Sequence, residues 1–338
     1  MKNFTCSCGH LLFFENTRCL KCGKDVGFDP QKMAMYPISL DAVGYSPRAC
    51  KNRHDFDVCN WLVTEPNASY CMSCELNQTI PNLLRKNRRR WWKSLEQAKR
   101  RLIYSLLRLG LPVVGKKSDP NGLAFQFIED KRTDPNVAEE YVTTGHLQGL
   151  ITINITEADD VTREMSRAFA GELYRTLLGH FRHESGHYYF DRLLNSANAK
   201  EQFRSLFGDE RVDYKHALDY YYANKKLMKR KRDFVSLYAQ SHPFEDWAEV
   251  WSHYLHMVDT LETAGDYNLE QGATRFDEFS ETLAKWSELT MMLNSLNRSM
   301  GLEDAYPFVL AGKTLTKLHF VHDLLYPNLP PKKGEAIV

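Results

Sequence analysis

The sequence predicts an α+β chain, mostly helical with a small sheet, preceded by a loop-rich, four-cysteine type of module. Three observations predict it. All eight cysteines lie before residue 75 and none follows in the rest of the 338 residues. From about Glu157 onward, apolar residues recur at three- and four-residue steps, the spacing of amphipathic helices. Only two clear stretches alternate, Ala124-Phe125-Gln126-Phe127-Ile128 and residues 149–155, and these read as strands.

Composition narrows the class further. At 43% hydrophobic and 26% charged residues, the chain is too apolar to be disordered. No run approaches the ~18 apolar residues of a membrane span, so no membrane association is expected. The start, Met1-Lys2-Asn3-Phe4-Thr5-Cys6, shows no apolar export segment, and the sequence reads as cytoplasmic. In a reducing compartment, clustered thiols hold metal more often than they form disulfides. A net charge of +1 points to no polyanionic partner in bulk, leaving only local patches to consider.

Residues 1–80 carry Gly and Pro throughout with few apolar runs, so they cannot build much of a core and need a staple. The first staple is Cys6-x-Cys8-Gly9 with Cys19-x-x-Cys22-Gly23. Glycine after the second cysteine of each pair gives the tight turn that aims both thiolates at one ion, the pattern of a zinc ribbon. The second is Cys50, Cys59 and Cys71-x-x-Cys74, with His54 as a possible substitute for one thiol. Tetrahedral four-sulfur sites accept zinc or iron, and four thiolates leave no open position, so both sites are expected to be structural.

Residues 81–112 read as a basic amphipathic connecting helix, with Leu95, Leu102, Ile103 and Leu106 on one face and a stop at Gly110-Leu111-Pro112. Its cations, with Trp91 and Trp92, can be read as a phosphate-binding face, and so can the run from Lys225 to Arg232. The balanced net charge and the lack of a recognition motif favour solvated faces over nucleic-acid binding. Residues 113–328 form the main domain. Helices are expected at 162–195 (bent near Gly179), 213–235, 244–263, 274–298 and 313–325, and residues 329–338 form a tail. The aromatic runs Tyr188-Tyr189-Phe190 and Tyr220-Tyr221-Tyr222 read as packing.

The chemistry concentrates at His183-Glu184-Ser185-Gly186-His187. On a helix, histidines at i and i+4 share a face and reach one metal ion, while the intervening glutamate touches the activated water as general base. Random shuffling of this composition produces the pattern roughly 3% of the time, so a third ligand is needed to support it. His242-Pro243-Phe244-Glu245-Asp246-Trp247-Ala248-Glu249 supplies candidates. Glu245 and Glu249 are i and i+4 on a helix begun by Pro243. One reading is N-terminal charge complementing the dipole. The other is one ligand and one carboxylate that orients a histidine.

These stretches resemble a bacterial family of zinc-binding metallopeptidases with an N-terminal zinc-ribbon region. The likeness runs from Leu95-Glu96-Gln97-Ala98 through Thr144-Gly145-His146 and Glu157-Ala158-Asp159-Asp160 to His183-Glu184. It continues at Phe207-Gly208-Asp209-Glu210 and at His242 through Glu249, with His253-Tyr254-Leu255-His256. More distantly, Glu245-x-x-Ala248-Glu249 resembles the gluzincin arrangement of anthrax lethal factor. That resemblance implies a zincin-like domain in which Glu245 is the third zinc ligand and Glu249 supports a histidine. It also implies an oxyanion-stabilising tyrosine seven residues before the ligand, the place of Tyr238, with His242 as the competing candidate.

The expectation is a zinc-dependent metallopeptidase with one catalytic and two structural zinc ions. His183, His187 and Glu245 are the ligands and Glu184 is the base. Its substrate is a peptide or protein, and the ribbon module can engage a protein partner. The strand at 149–155 is expected to offer an edge to extended substrate. His180, three residues before His183, can crowd the site, and His146, His253 and His256 read as hydrogen-bonded packing residues rather than ligands. The alternative is a protein- or nucleic-acid-binding ribbon protein with an inactive peptidase-like domain.

Overall fold

The computed structural model describes residues 2–38, 47–160, 163, 176–269 and 278–325. The chain divides by packing into two compact units, and the division falls inside a helix, between Phe181 and Arg182.

The first unit begins with three two-stranded antiparallel ribbons: β1 (Phe4–Thr5) with β2 (Leu11–Leu12), β3 (Val26–Asp29) with β4 (Ala34–Pro37), and β5 (Arg48–Ala49) with β6 (Leu62–Val63). Two short helices follow the ribbons: α1 (Lys51–Phe56) starts after Cys50, and α2 (Met72–Glu75) starts after Cys71 and carries Cys74, while Cys59 lies in the loop before β6. Such small elements cannot bury much surface alone. They pack on a shared aromatic cluster of Phe4, Phe14, Phe28 and Trp61, and Tyr104 joins it at 5.2 Å from Phe14.

Tyr104 belongs to α3 (Arg88–Arg108). This helix starts seven residues later than the sequence periodicity predicts, because Asn87 sits in the left-handed region at φ 66° and breaks the preceding turn. It stops at Leu109, followed by Gly110 at φ 71°, the C-terminal glycine stop the sequence implies. Most of its cations are consumed internally, exposed Arg90 excepted. Arg88 pairs with Glu129 at 2.6 Å, Lys93 with Asp57 at 2.7 Å and Arg101 with Glu15 at 2.9 Å. Arg89 and Arg100 donate to the carbonyls of Phe56 and Val58. Trp92 is fully buried and packs edge-on against Phe56.

Behind α3 lies a four-stranded sheet of order β7-β8-β10-β9. Its strands are β7 (Asn77–Thr79), β8 (Ala124–Ile128), β9 (Gly145–Leu147) and β10 (Leu150–Asn154). β8 runs parallel to β7 and β10, and β9 pairs antiparallel with β10. The sheet corrects one expectation: β10 is an inner strand, paired on one side over Leu150–Asn154 and on the other over Leu150–Thr152, so the edge strands are β7 and β9. The turn at Gln148-Gly149, both at positive φ, folds β9 back onto β10.

The second unit holds α4 (Leu177–Leu193) from Arg182 onward, then α5 (Ala197–Phe207), α6 (Tyr214–Asn224), α7 (Pro243–Asp266), α8 (Phe279–Ser299) and α9 (Lys313–Leu325). α7 forms its centre, with Trp247, Ala248, Val250, Trp251, Leu255 and Leu261 completely buried. α4 approaches α7 closely at Gly186, where a Cβ would lie 3.0 Å from the Ala248 Cα. Both tryptophans of α7 use that closeness: Trp247 donates to the Gly186 carbonyl at 2.8 Å and Trp251 to Ser185 Oγ at 3.0 Å. The crossing fixes the face that α4 presents to α7, and that face carries the histidine pair.

The helices at 313–325 and around 244–263 fall where the sequence predicts them. The expected segments 162, 164–175, 274–277 and 329–338 lie outside the described residues. The predicted helix 213–235 ends at Asn224, because beyond Met228 the cation run offers no apolar face. In Tyr220-Tyr221-Tyr222 only Tyr221 is buried and its neighbours are exposed, correcting the packing expectation for two of the three. Tyr188, Tyr189 and Phe190 are all core residues, and Tyr189 stacks on Trp251.

Candidate metal centre

α4 places His183 and His187 on one face, one turn apart, with ring centroids 5.0 Å from each other. α7 begins at Pro243, whose missing N–H costs nothing in a first turn, and brings Glu245 to the same point. The donor atoms of His183, His187 and Glu245 all lie within 4.8 Å of one another. His183 Nε2 is 3.0 Å from Glu245 Oε2, and His187 Nε2 is 3.6 Å from Glu245 Oε1. Ligands of a tetrahedral zinc with bonds near 2.05 Å stand about 3.3 Å apart, so these spacings fit one ion without rearrangement. Two imidazoles and one carboxylate make the three-ligand set that leaves a fourth position open.

Glu249, one turn after Glu245, accepts from His183 Nδ1 at 2.7 Å. That bond holds the ring through Nδ1 and leaves Nε2 as the atom that would face an ion, the usual support for a metal-binding histidine. Burial works to lower the His183 pKa, but the hydrogen bonds to Glu245 and Glu249 prevail and hold it well above its usual value. Burial likewise opposes ionisation of Glu245, and the two histidines overcome it, keeping its carboxyl well below the ordinary range. The site thus stores its negative charge on Glu245 and Glu249.

Glu184 behaves differently. It is buried, and among the described residues its carboxylate makes no hydrogen bond. Burial pushes its pKa up, against the attraction of His183 and His187. A carboxylate with raised basicity and unengaged oxygens beside a ligand set is suited to taking a proton.

Tyr238 lies in a short 3-10 turn, Tyr238–Gln240, just before α7. Its ring is 6.0 Å from that of His183, and its hydroxyl hydrogen-bonds none of the described residues. Burial keeps the phenol firmly protonated and therefore a donor. His242 has other work. Its Nδ1 accepts from Phe244 N–H as the cap of α7, and its Nε2 donates to the Val212 carbonyl at 3.1 Å. Both ring nitrogens are used, so the structure corrects the expectation that His242 is available to an oxyanion.

One residue escaped the sequence reading. Tyr214 donates from its hydroxyl to Glu245 Oε1 at 2.6 Å, steadying the carboxylate from α6. It stands 31 residues before its partner, and no fixed spacing links the two in the sequence. The remaining histidines are not in the ligand set. His146 accepts from Gly149 N–H, His180 lies 3.7 Å from Glu157, and His253 bonds the Tyr306 hydroxyl at 2.5 Å. His256 lies buried-side against Tyr306, their rings stacked at 6.2 Å.

The two cysteine sets also converge, each with its four sulfurs within 4.8 Å, and all eight are free thiols. Sγ–Sγ distances are 3.7 Å for Cys6–Cys22, 3.6 Å for Cys8–Cys19 and 3.6 Å for Cys59–Cys71. Tetrahedral zinc with bonds near 2.3 Å places sulfurs about 3.8 Å apart, which these clusters nearly match. Gly9 and Gly23 adopt φ of 80° and 72°, the left-handed turns expected after each pair. Around the second set, Trp61 N–H and Cys71 N–H donate to Cys59 and Cys50 sulfurs. His54 is not in that set: its side chain is 89% exposed and pairs with Asp55. All four thiols of the second set are buried, whereas Cys22 of the first is exposed.

Comparison with known proteins agrees with this layout. A family profile described as "Putative zinc-binding metallo-peptidase" matches residues 87–324, and one described as "zinc-ribbon domain" matches residues 3–85. An uncharacterized protein of Mycobacterium bovis is 42% identical over 352 aligned residues that span all of both chains. Uncharacterized proteins of two Mycobacterium tuberculosis strains show the same identity and coverage. No solved structure matches the chain. With 87–324 matched and both ends of that match enclosing the histidine–glutamate cluster, the chain belongs to the family described as "Putative zinc-binding metallo-peptidase", carrying a zinc-ribbon domain at its N-terminus.

Proposed function

We propose that the chain is a zinc-dependent peptidase of the gluzincin type, with His183, His187 and Glu245 holding the catalytic zinc and each cysteine set holding a structural one. The observation that carries this reading is the meeting of three candidate ligand atoms beside a buried carboxylate, Glu184, that makes no hydrogen bond among the described residues. A bound zinc supplies Lewis acidity, polarising a carbonyl and lowering the pKa of water.

The chain's own residues do the rest. Glu184 takes a proton from the attacking water and returns it to the leaving amine. Glu249 holds the His183 ring through Nδ1, and Tyr214 holds Glu245 through Oε1, so the ligand set keeps its shape as charge moves. Tyr238 donates its hydroxyl hydrogen to the oxyanion of the tetrahedral state. The test is Glu184→Gln, incubated with a mixed peptide library and read by mass spectrometry. Cleavage should fall by about a thousandfold or more while the zinc content stays at the wild-type value. Cleavage at the wild-type rate would refute the role of Glu184.

A further inference from the structure

Two runs of basic residues stand in this chain, and the structure treats them oppositely. Most cations of α3 are spent, among them Arg88 on Glu129, Lys93 on Asp57, Arg101 on Glu15, and Arg89 and Arg100 on backbone carbonyls; Arg90 is exposed and not spent. The run after α6 is not spent. Lys226, Lys229, Lys231 and Arg232 are exposed, and among the described residues none of these four side chains has a hydrogen-bond or ion-pair partner. From Tyr214 to Arg232 the only acidic residue is Asp219. Lys225 and Arg230 do have partners, the Tyr222 ring and the Phe234 carbonyl, but keeping four further like charges exposed beside them costs stability through mutual repulsion.

The backbone of this run is nevertheless tied down, and tied to the metal centre. Lys231 N–H donates to Gln240 Oε1 at 3.2 Å, and Gln240 Nε2 donates to the Lys229 carbonyl at 3.4 Å. Gln240 closes the same 3-10 turn that carries Tyr238. At the other end, Thr314 Oγ1 donates to the Arg232 carbonyl and Lys317 Nζ to the Asp233 carbonyl at 2.8 Å. Lys317 also binds Asp246 Oδ2 at 2.5 Å, next in sequence to Glu245. Further support comes from α6 itself: Tyr221 packs at 5.6 Å from Tyr238, and Tyr214 bonds Glu245.

We infer that residues 226–232 form a cationic subsite beside the metal centre that binds acidic side chains of the peptide being cut. This rests on the peptidase reading and adds the substrate class: a segment with Asp or Glu clustered to one side of the scissile bond. The anchoring through Gln240 and Lys317 favours a ligand that reaches the metal centre, hence a peptide over a nucleic acid, which has no use for that proximity. Unpaired cations on a fixed backbone also attract a carboxylate-rich segment from a distance and speed its encounter.

The experiment uses the full chain as Glu184→Gln, so that peptide is held and not consumed. Fluorescence anisotropy follows three probes: a labelled peptide with a Glu-rich half, the same peptide with Gln for Glu, and a single-stranded oligonucleotide of equal charge. The Glu-rich peptide should bind about tenfold or more tightly than its Gln counterpart, with an affinity that falls as salt rises. Adding Lys226→Ala, Lys229→Ala, Lys231→Ala and Arg232→Ala together should erase that preference, and Arg in place of the three lysines should restore it. Equal binding of the two peptides, or tighter binding of the oligonucleotide, overturns the inference. If the Glu-rich peptide binds as stated but the wild-type chain does not cut it, the failure belongs to the proteolytic reading and not to the cationic subsite.

Discussion

At the residue scale the site separates roles by hydrogen-bonding state. Glu245 and Glu249 are engaged and ionised; Glu184, three residues from His187 and next to His183, is unengaged and more basic. Tyr238 and His242, four residues apart, separate in the same manner. Tyr238→Phe should lower kcat by about ten- to a hundredfold with little change in KM, as expected for a donor that acts on the transition state. His242→Ala should leave kcat near wild type and instead lower stability by about 1 kcal/mol through loss of the α7 cap, seen as a lower Tm. An unchanged kcat in Tyr238→Phe would remove the tyrosine from the mechanism. In the sequence the resemblance points to Tyr238, and His242 stands as the competing candidate. Only the pairing of both His242 nitrogens distinguishes them.

A second residue-scale prediction concerns acid. Burial, aided by Arg182 and opposed by Glu249, lowers the His253 pKa to about 4. The folded state therefore favours neutral His253, while the unfolded chain protonates it near the ordinary histidine value. Its contribution is present above pH ~6.5 and is lost as pH falls through about 4, on the order of 3 kcal/mol at full effect. Thermal melts between pH 7.5 and 4.5 should fall steeply for wild type. His253→Gln, which keeps an acceptor for the Tyr306 hydroxyl, should fall less steeply. Parallel curves for the two proteins would contradict this assignment.

At the element scale, the crossing of α4 and α7 sets the site. Gly186 lies between the two histidines, and a Cβ there would meet the Ala248 Cα at 3.0 Å and Trp251 Cδ1 at 3.1 Å. Neither a helix backbone nor a buried indole yields easily. Gly186→Ala should destabilise by about 1–2 kcal/mol despite the better helix propensity of Ala, and should weaken metal binding at the histidines. A raised Tm would contradict the close approach. This crossing explains what was legible in the sequence. The histidine pair and the two glutamates are written in i, i+4 spacing, and the local geometry of a helix is enough to read them. The first cysteine set was legible through its paired spacing and following glycines, the second through one knuckle, Cys71-x-x-Cys74, and a count of four. Tyr214 was not, because its contact to Glu245 depends on how α6 meets α7. The inner place of β10 was not, because strand order is a long-range property that alternation does not encode. The end of α6 at Asn224 was missed because the cations beyond it look helix-compatible by propensity, while nothing apolar holds them to a core.

At the scale of the whole molecule, two kinds of residue group that could hold a metal stand in one chain. The cysteine sets give closed four-sulfur cages in a region with little core of its own, where a bound ion contributes folding energy. The histidine–glutamate set has three donors and keeps one position open. The difference predicts how the ions are counted and removed. The central claim is that the histidine motif holds an ion of its own, apart from those of the cysteine cages. The direct measurement is zinc per chain by mass spectrometry of the native protein, wild type against His183→Ala, both reloaded with zinc before desalting. Three ions are expected in the wild type and two in the variant. An equal count in both proteins after reloading would contradict it, leaving a cysteine-rich zinc protein whose histidine motif binds no metal.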